Sequence, residues 1–494
     1  MNTQPGLSRS VRPLLAASAL LLASCATVPT DDAPSALSHA DRAMGGANVK
    51  SIRFAGNGTG ATFGQAFQPN MTWPKIIYGS FARVADYENG AFREDAARSR
   101  AEPTGGGAVP LIGTGEQRTT GLMRDSLAWN LAGPAPVAAA LSVSTRLHDL
   151  WTSPHGVIKA AMKNNATVRA VDEGGKRMTA VSFEQTSHFK ATAFINAEGM
   201  VERVESMLPN PVLGDTEVTT NYSDYKDFSG VKFPTRIRQS MARSEVLDLT
   251  VTEVEVNAAA TIEVPALVKA AAERVTADKV AEGVWFMGGG SHNSVAIEMA
   301  DHVILVESPL YDGRALPLLA EVKKLNPAKP IRYVVNSHHH FDHSGGLRTA
   351  AADGIELVTS SQAKPYFERV MTNPNRISPD AFEKSGKKAV VSAVEGKRVF
   401  TDNKRVVEVY FIDSSVHAQG FMMVYLPAEK LLIEADAYTP GAPNSPPPAR
   451  VNDNHVNLVQ NIERLKLNVE RILPLHGRVV PIGELYTAIG RSKP

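Results

Sequence analysis

The chain has 494 residues, 43% of them hydrophobic, which is enough for two or three domains with buried cores. Its 52 basic and 51 acidic side chains nearly cancel and leave a formal net charge of +1. Because no sustained basic patch is present, nucleic acid is not indicated as a partner, and bulk charge does not select the substrate.

The first 25 residues have the pattern of an export signal. Arg9 and Arg12 precede an apolar stretch over residues 14–23, which is too short for a permanent membrane span. The end of this stretch, at Cys25, resembles the lipobox of bacterial lipoproteins, in which the cysteine becomes the lipidated N-terminus. We therefore predict a signal peptide over residues 1–24 and a lipid on Cys25. A plain secretory signal with an incidental cysteine is the alternative.

Cys25 is the only cysteine of the chain, so it cannot form an intramolecular disulfide. A protein otherwise free of thiols suits an oxidising compartment. Residues 25–40 contain many Pro, Asp, Ser and Ala residues, and we expect a flexible tether there. The prediction is an exported, periplasm-facing lipoprotein that is held at the membrane by its lipid.

Residues 41–257 contain short strands separated by turn residues, which predicts an antiparallel sheet. Apolar and polar residues alternate clearly over residues 247–252. Two helices interrupt the strands, over residues 136–150 and 154–162, with Ser153 as the expected N-cap of the second. The order of sheet, helices and sheet predicts a curved half-barrel closed by helices.

This architecture is similar to that of the periplasmic carriers that shuttle lipoproteins, although no motif is shared. An apolar concave face would bind an acyl chain or another apolar ligand, and the alternative is that this face is the core of the domain. His148, His155 and His188 lack ligand spacing and are expected at the surface or in caps. Residues 258–279 are expected to form a linker.

Strands and helices alternate over residues 280–494, which predicts a separate, mixed domain. A helix is expected over residues 314–325 and a short buried strand over residues 331–335. The strand is followed at once by the most polar and histidine-rich stretch of the chain. The chemistry of this half is therefore expected at the end of that strand.

That stretch has the spacing His-x-His-x-Asp-His, formed by His338, His340, Asp342 and His343. Such a density of imidazole and carboxylate donors suits a transition metal. Residues two apart in an extended segment project to the same side, so His338 and His340 can share one ion. Asp342 and His343 follow where the chain turns, beside a second ion position. The alternative is a histidine-rich surface tract that binds metal without a function.

Three further polar residues lie at the exits of predicted strands, namely His417, Asp436 and His476. Taken singly, each of them has the alternative role of a satisfied buried polar residue or a cap. Together with the first cluster they supply seven donors, which is enough for two ions with positions left for water.

On these residues the chain resembles the metallo-β-lactamase superfamily of metal-dependent hydrolases from about residue 280 to the C-terminus. The resemblance implies an αββα sandwich with its metal site at one edge, so the whole chain is assigned to the α+β class. It also implies that His338, His340 and His417 hold one ion. Asp342, His343 and His476 would hold the other, with Asp436 as the bridge.

A pair of divalent ions would lower the pKa of a bridging water and polarise the bond that is broken. Asp342 would bind metal and also orient the resulting hydroxide, as the catalytic carboxylate. Zinc is the expected metal for these donors, and iron or manganese also fits them. His292, in a glycine-rich loop, is a candidate proton donor, and Tyr438 is a candidate hydrogen-bond donor to a substrate carbonyl. Each has the alternative of no catalytic role.

Residue 436 is Asp, so the chain departs from the β-lactamase subgroup that has cysteine there. A set with a bridging aspartate is similar to that of acylhomoserine lactonases, which favours a small-molecule substrate with an ester, lactone or amide-type bond. Two rival functions remain. One is a lipid or lipoprotein carrier whose metal domain is structural, and the other is an iron-dependent redox enzyme on the same ligands.

Overall fold

The structure, a computed structural model, describes residues 32–102, 105–107, 115–131, 133, 135–259, 261–443, 446 and 450–492. The predicted signal peptide, Cys25 and the first part of the predicted tether lie outside the described residues. None of the helices within these ranges has the length and apolar character needed to cross a membrane.

The first half of the chain forms one antiparallel sheet of thirteen strands. The strands are β1 Ser51–Ala61, β2 Lys75–Asp86, β3 Ala91–Arg100, β4 Gln117–Arg124, β5 Leu127–Leu131, β6 Pro136–Ala138, β7 Thr167–Glu173, β8 Lys176–Gln185, β9 Phe189–Ile195, β10 Val201–Asn210, β11 Gly214–Phe228, β12 Val231–Met241 and β13 Ser244–Val256. Their order is β6-β5-β4-β3-β2-β1-β13-β12-β11-β10-β9-β8-β7, so the first and last strands pair at the centre of the sheet.

Helices fill the concave side of this sheet. These helices are α1 Ala33–Ala43, α2 Val143–Trp151 and α3 Pro154–Lys163. A separate short helix, α4 Ala266–Lys269, comes after the last strand of the sheet. Helix α2 contacts β3, β4 and β5 on one side and β10 on the other. Neighbouring strands are about 4.8 Å apart, so strands this far apart in a flat sheet would not reach one helix. The sheet is therefore strongly curved around α2.

Three local predictions for this half are wrong. Helix α1 replaces the tether from Ala33 onward, because Asp32 caps it and Leu37 buries its inner face. The helix predicted from residue 136 begins at Val143, after a short strand that pairs with β5. His148 and His155 are buried and do not lie at the surface. Ser153 is the N-cap residue of α3, as predicted, although its hydroxyl donates to Leu150 O and not to the start of the helix. The positions of these residues depend on how the helices pack against the sheet, and a local sequence pattern does not contain that information.

The second half contains two further sheets. The first is β14 Thr276–Ala281, β15 Val284–Gly288, β16 Ser294–Glu298, β17 Val303–Val306, β18 Ile331–Val335, β19 Glu356–Ser360 and β20 Val391–Val394, paired in that order. The second is β21 Lys397–Thr401, β22 Val406–Phe411, β23 Met422–Leu426, β24 Leu431–Glu434, β25 Arg471–Pro474 and β26 Val480–Pro481, also in chain order. The linker predicted over residues 258–279 thus holds α4 and the start of β14.

Within the described part of this half, seven helices accompany the two sheets: α5 Asp312–Leu325, α6 Phe341–Ser344, α7 Leu347–Asp353, α8 Lys364–Val370, α9 Ala381–Ser385, α10 Asp453–Arg464 and α11 Ile482–Ala488. Alternate residues of β17 and β18 face different cores. Ile304 and Val335 join the core that both sheets share, whereas Leu305 and Val334 pack with α5, α7 and α8. The seven-stranded sheet is therefore covered on both faces.

The direction of pairing determines where the polar loops lie. Strands β17 and β18 are parallel, as are β24 and β25, so each pair ends at one edge of its sheet. Three of the loops that leave these strands carry the predicted ligands: the histidine-rich loop, Asp436 and His476. The fold thereby gathers side chains that are far apart in sequence.

Candidate metal centre

Three imidazoles turn their nitrogens towards one point at the edge of the sheets. The distance from His338 Nε2 to His340 Nδ1 is 2.9 Å, and that from His338 Nε2 to His417 Nε2 is 3.2 Å. All three rings are buried. The structure therefore brings together the three residues predicted to share the first ion.

A second group lies beside the first. His343 Nε2 is 3.1 Å from His476 Nε2 and 3.8 Å from Asp342 Oδ2. Asp342 and His343, which follow His340 in the loop, thus lie close to His476, which is located just after the end of β25. This is the set predicted to share the second ion.

Asp436 lies between the two groups. Its Oδ2 is 2.8 Å from His343 Nε2, 3.2 Å from His338 Nε2 and 3.3 Å from His417 Nε2, and its Oδ1 is 3.0 Å from His476 Nε2. One carboxylate therefore contacts both groups, which is the position expected of a bridge.

The opposite nitrogen of three of these rings lies within hydrogen-bond distance of another group, and that of His343 lies beside Glu307 without a hydrogen bond. Ala66 O accepts from His340 Nε2 at 2.8 Å, and Ser291 O accepts from His476 Nδ1 at 2.9 Å. Ser337 Oγ is 2.9 Å from His338 Nδ1, and Glu307 Oε2 is 3.3 Å from His343 Nδ1. Outer contacts of this kind fix the ring and the tautomer of a metal-binding histidine.

Charge within the cluster favours donors that are ready to bind a cation. Burial holds the pKa of His338 and His340 well below the usual range, so both imidazoles are neutral. Burial opposes ionisation of Asp436, but His343, His417 and His476 keep its pKa well below the usual value. His343 and His476 are the exceptions: burial lowers the pKa of His343, yet Asp436, Asp342 and Glu307 raise it well above the usual value. Burial also lowers the pKa of His476, and Asp436 raises it above the usual value, so each ring holds its proton more readily. A divalent cation would replace that proton.

The donors form two groups, each of which could hold a metal ion. Two sets of four side chains each offer ligand atoms that lie within 4.8 Å of one another: His338, His340, His417 and Asp436, and His292, Asp342, His343 and His476. Imidazole and carboxylate donors in a buried site suit zinc, iron or manganese. The chemistry of the donors and their convergence thus agree with metal binding.

The two candidate substrate-facing residues have different positions. His292 Nε2 is 3.3 Å from Asp342 Oδ2, and its ring lies 4.3 Å from that of His476, so it joins the second group. Burial lowers the pKa of His292, although Asp342 opposes the shift. Tyr438 is buried in the core shared by the two sheets, with its ring 4.9 Å from that of His455. Its neighbour Thr439 lines the cavity beside the metal ligands, and a hydrogen bond from Tyr438 to a substrate stays a prediction.

A loop of the N-terminal sheet also reaches the centre. In residues 62–74, between β1 and β2, Gln65 Nε2 donates to Asp342 Oδ1 at 2.8 Å, and Ala66 O accepts from His339 and His340. The ring of Phe63 meets that of Phe341 edge to face at 5.2 Å. Sequence reasoning missed this loop, because nothing local to residues 62–74 indicates a partner 277 positions away.

Glu307 was also missed, although its signal is visible. It follows the buried strand β17 as Asp436 follows β24, and a lone acidic residue at such an exit is the pattern that singled out Asp436. Its side chain is fully buried, and Oε1 accepts from Ser337 N at 2.6 Å. Glu307 therefore holds the start of the histidine-rich loop through the backbone of Ser337.

One cavity of about 1160 Å³ joins the metal centre to the N-terminal sheet. Asp342, His417, Asp436 and His476 line one part of it, and side chains of strands β2, β3, β4 and β10 to β13 line the other. Small-molecule sites usually have volumes of about 300–1,000 Å³. The cavity can therefore accept a large substrate that contacts both halves of the chain.

Comparison with known proteins gives a consistent result for the second half of the chain. Residues 287–476 match the family model of the metallo-beta-lactamase superfamily. A search of curated proteins finds no match.

Solved structures similar to this chain include a metallo-beta-lactamase from Pontibacter korlensis (17% identity, TM-score 0.34), which covers 44% of this chain and 98% of its own. A metallo beta lactamase from Hirschia baltica has 18% identity and a TM-score of 0.34, with 44% of this chain and 99% of its own covered. The metallo-beta-lactamase FIM-1 from Pseudomonas aeruginosa, in the mono-zinc form, has 19% identity and a TM-score of 0.33, with 44% and 93% covered. The family match covers residues 287–476, the part of the chain that carries the seven predicted ligands and His292.

Proposed function

We propose that the protein is a metal-dependent hydrolase that uses two divalent ions to cleave an ester, lactone or amide-type bond in a small molecule. The observation that carries the proposal is the convergence of five imidazoles and one further carboxylate, that of Asp342, around Asp436 at the wall of a large cavity. Such a donor set at a cavity wall suits a catalytic site more than a structural one, whose ligands are closed off from substrate.

We assign the first ion to His338, His340 and His417, and the second to Asp342, His343 and His476, with Asp436 between them. Divalent ions bound there supply a nucleophile at neutral pH by lowering the pKa of water, and they polarise the bond to be cleaved. Zinc is the metal we propose for this nitrogen and oxygen set. The two sheets with helices on their outer faces correspond, in this proposal, to the αββα layers that the family resemblance implies.

Asp342 has the catalytic role among the ligands. Gln65 holds its Oδ1, and His292 lies against its Oδ2, so the plane of the carboxylate is fixed from both sides. A carboxylate fixed in this way can accept a hydrogen bond from the nucleophilic water and orient it towards the substrate.

We assign proton donation to the leaving group to His292. General acid catalysis contributes about 100-fold or more when the leaving group is poor. His292→Gln should therefore slow alkyl esters strongly and p-nitrophenyl esters little, with the metal content unchanged. An equal loss for both ester types, or the loss of one metal equivalent, would contradict this role.

The decisive experiment is a panel of chromogenic lactones, esters, β-lactams and phosphodiesters, tested with the metal-loaded full chain. We expect turnover of carbonyl substrates and a loss of at least about 100-fold in His340→Ala, with an unchanged circular dichroism spectrum. No turnover across the panel with two metal equivalents bound would refute the hydrolase. Binding of an apolar ligand that persists in His340→Ala would then favour the carrier, and a requirement for iron would favour the redox enzyme.

For the location, we propose export and attachment to the membrane through a lipid on Cys25. The support is the sequence pattern of residues 1–25 alone. In bacterial cells, mass spectrometry of the N-terminal peptide should find acylated Cys25, and Cys25→Ser should release the protein from the membrane fraction. An unmodified Cys25 in a membrane-free fraction would contradict the proposal.

A further inference from the structure

One end of the cavity, the metal end, lies at the metal centre, and the other end, the floor, lies inside the curved sheet. Strand β2 begins at the end of the loop that contacts the metal ligands, and Tyr78, near this end, pairs with Arg98 of β3. Deeper inside, Arg83 pairs with Glu94. The five residues from Tyr78 to Arg83 span about 17 Å in an extended strand. A substrate with its reactive bond at the metals therefore has space for a long remainder within the sheet.

Part of the wall between the metal end and the floor is apolar. Lining side chains include Tyr78, Phe81, Leu208, Met241 and Leu247, which come from both sides of the curved sheet. Burial of an apolar chain against such walls gives about 25 cal/mol for each Å² removed from water. The remainder of the substrate is therefore expected to be apolar.

The floor is electrically balanced. Arg83 contacts Glu94 at 2.6 Å and Asp149 at 3.0 Å. Arg146 is held by the carbonyl oxygens of Leu122 and Trp129 at 2.9 and 2.8 Å, close to the same two carboxylates. Two guanidinium groups thus face two carboxylates, and the floor requires no charge from a ligand.

Arg98, towards the metal end of the cavity, has no carboxylate partner of the kind found at the floor. Among the described residues no carboxylate pairs with it, and its Nε is buried without a hydrogen-bond partner. It lines the same cavity as the metal ligands. A guanidinium that is partly buried and unpaired binds a carboxylate or phosphate more strongly than one free in water does.

We infer that the substrate is an amphipathic anion, with the anionic group bound by Arg98 near the scissile bond and an apolar chain in the concave sheet. This inference rests on the proposed hydrolase and adds the class of its substrate. In this inference, Arg98 determines the specificity for an anionic substrate, and the N-terminal sheet is the part of the active site that binds the apolar chain of the substrate.

The test uses a matched pair of ligands, N-decanoylglycine and its uncharged analogue N-decanoylglycinamide. Binding to the metal-free full chain is measured by isothermal titration calorimetry, so the readout does not depend on turnover. We expect the anion to bind at least about tenfold more tightly, as one charge-assisted contact predicts. N-acetylglycine, which lacks the chain, should bind much more weakly than N-decanoylglycine.

Three variants separate the role of Arg98 from a structural effect. Arg98→Gln should remove the preference for the anion and leave binding of the amide unchanged, whereas Arg98→Lys should keep part of it. Arg93→Gln is the matched control, because Arg93 lies on the same strand, pairs with Asp95 and does not line the cavity. Equal affinity for both ligands in the unmodified protein, or an equal loss for both in Arg98→Gln, would overturn the inference.

A separate turnover assay tests the proposed hydrolase function. Decanoyl and acetyl esters of a carboxylate-bearing phenol are offered to the zinc-loaded chain. Faster turnover of the decanoyl ester supports both proposals. Turnover of esters without anion-selective binding overturns the substrate class alone, and anion-selective binding without turnover of any ester overturns the hydrolase alone.

Discussion

In each clustered imidazole, the contact made by the ring nitrogen that faces away from the other ligands determines how well the ring can bind a cation. Glu307 has the most demanding of these roles, because its carboxylate is completely buried and faces His343, one of two clustered imidazoles whose pKa is raised. Its backbone has φ of +68°, which is rarely adopted by residues other than glycine. Strain of this kind persists where the surrounding structure fixes a functional side chain.

Glu307→Gln should weaken metal binding at the second group by about 10- to 100-fold, because an amide supports the imidazole less well than a carboxylate does. Competition with a chromogenic chelator measures the two affinities. Glu282→Gln, which changes an exposed carboxylate, is the control. Unchanged affinity at both positions would show that Glu307 does not act through His343.

His155 gives a prediction for the dependence of stability on pH. Burial lowers its pKa to about 4, although Met44 O accepts a hydrogen bond from it. As the pH falls from about 6.5 to 4, the unfolded chain binds a proton that the folded chain does not, so stability is lost across this window. The loss reaches at most about 3 kcal/mol.

Urea unfolding at pH 7.5 and pH 5 measures this effect. His155→Gln should reduce the difference in unfolding free energy between the two values. His39→Gln, on the exposed side of α1, should leave it unchanged. A difference in His155→Gln as large as in the unmodified protein would assign the dependence to other histidines.

At the scale of elements, the loop over residues 62–74 is the clearest case of one domain completing the site of another. Besides its contacts with Asp342 and His340, Phe67 O accepts from Gln419 N at 2.7 Å, and Asn70 contacts Arg369. Gly107 also lies close, since a Cβ there would be 2.7 Å from His340 Cε1. Two segments of the N-terminal domain thus cover the metal ligands.

Gln65→Ala should lower kcat by about tenfold, because Asp342 would lose the hydrogen bond that fixes its orientation. Metal content and KM should change little, since the ligand atoms themselves remain. Steady-state kinetics with parallel metal analysis is the measurement, and Gln68→Ala in the same loop is the control. A loss of metal without a change in kcat per bound metal would show that Gln65 supports binding instead of orientation.

At the scale of the whole molecule, bound ions should stabilise the C-terminal domain. Each site that binds only in the folded state adds about 4 kcal/mol when free metal is 1,000 times its dissociation constant. Chelation should therefore lower the unfolding temperature of this domain in differential scanning calorimetry. The transition of His340→Ala should respond much less to the chelator, and an equal response would place the stabilising metal elsewhere.

The sequence was sufficient for features that depend on short stretches of chain. The spacing from His338 to His343 and the polar residues at strand exits are local, so the seven candidate ligands were visible without coordinates. Strand β18 has the predicted bounds for the same reason, and the alternation in β13 correctly predicted a sheet with one buried face. The local error at α1 arose because a Pro- and Ser-rich start also suits a capped helix once a core is available to it.

Tertiary structure alone decided which distant segments meet. Gln65 reaches Asp342, β1 pairs with β13, and Arg98 enters the same cavity as Asp436, each across more than 180 residues. These contacts depend on sheet curvature and strand register, to which every strand contributes and which no short window contains. The sequence by itself therefore determined the chemistry of the metal ligands, whereas the path of the chain in space decided what surrounds them and which substrate can reach them.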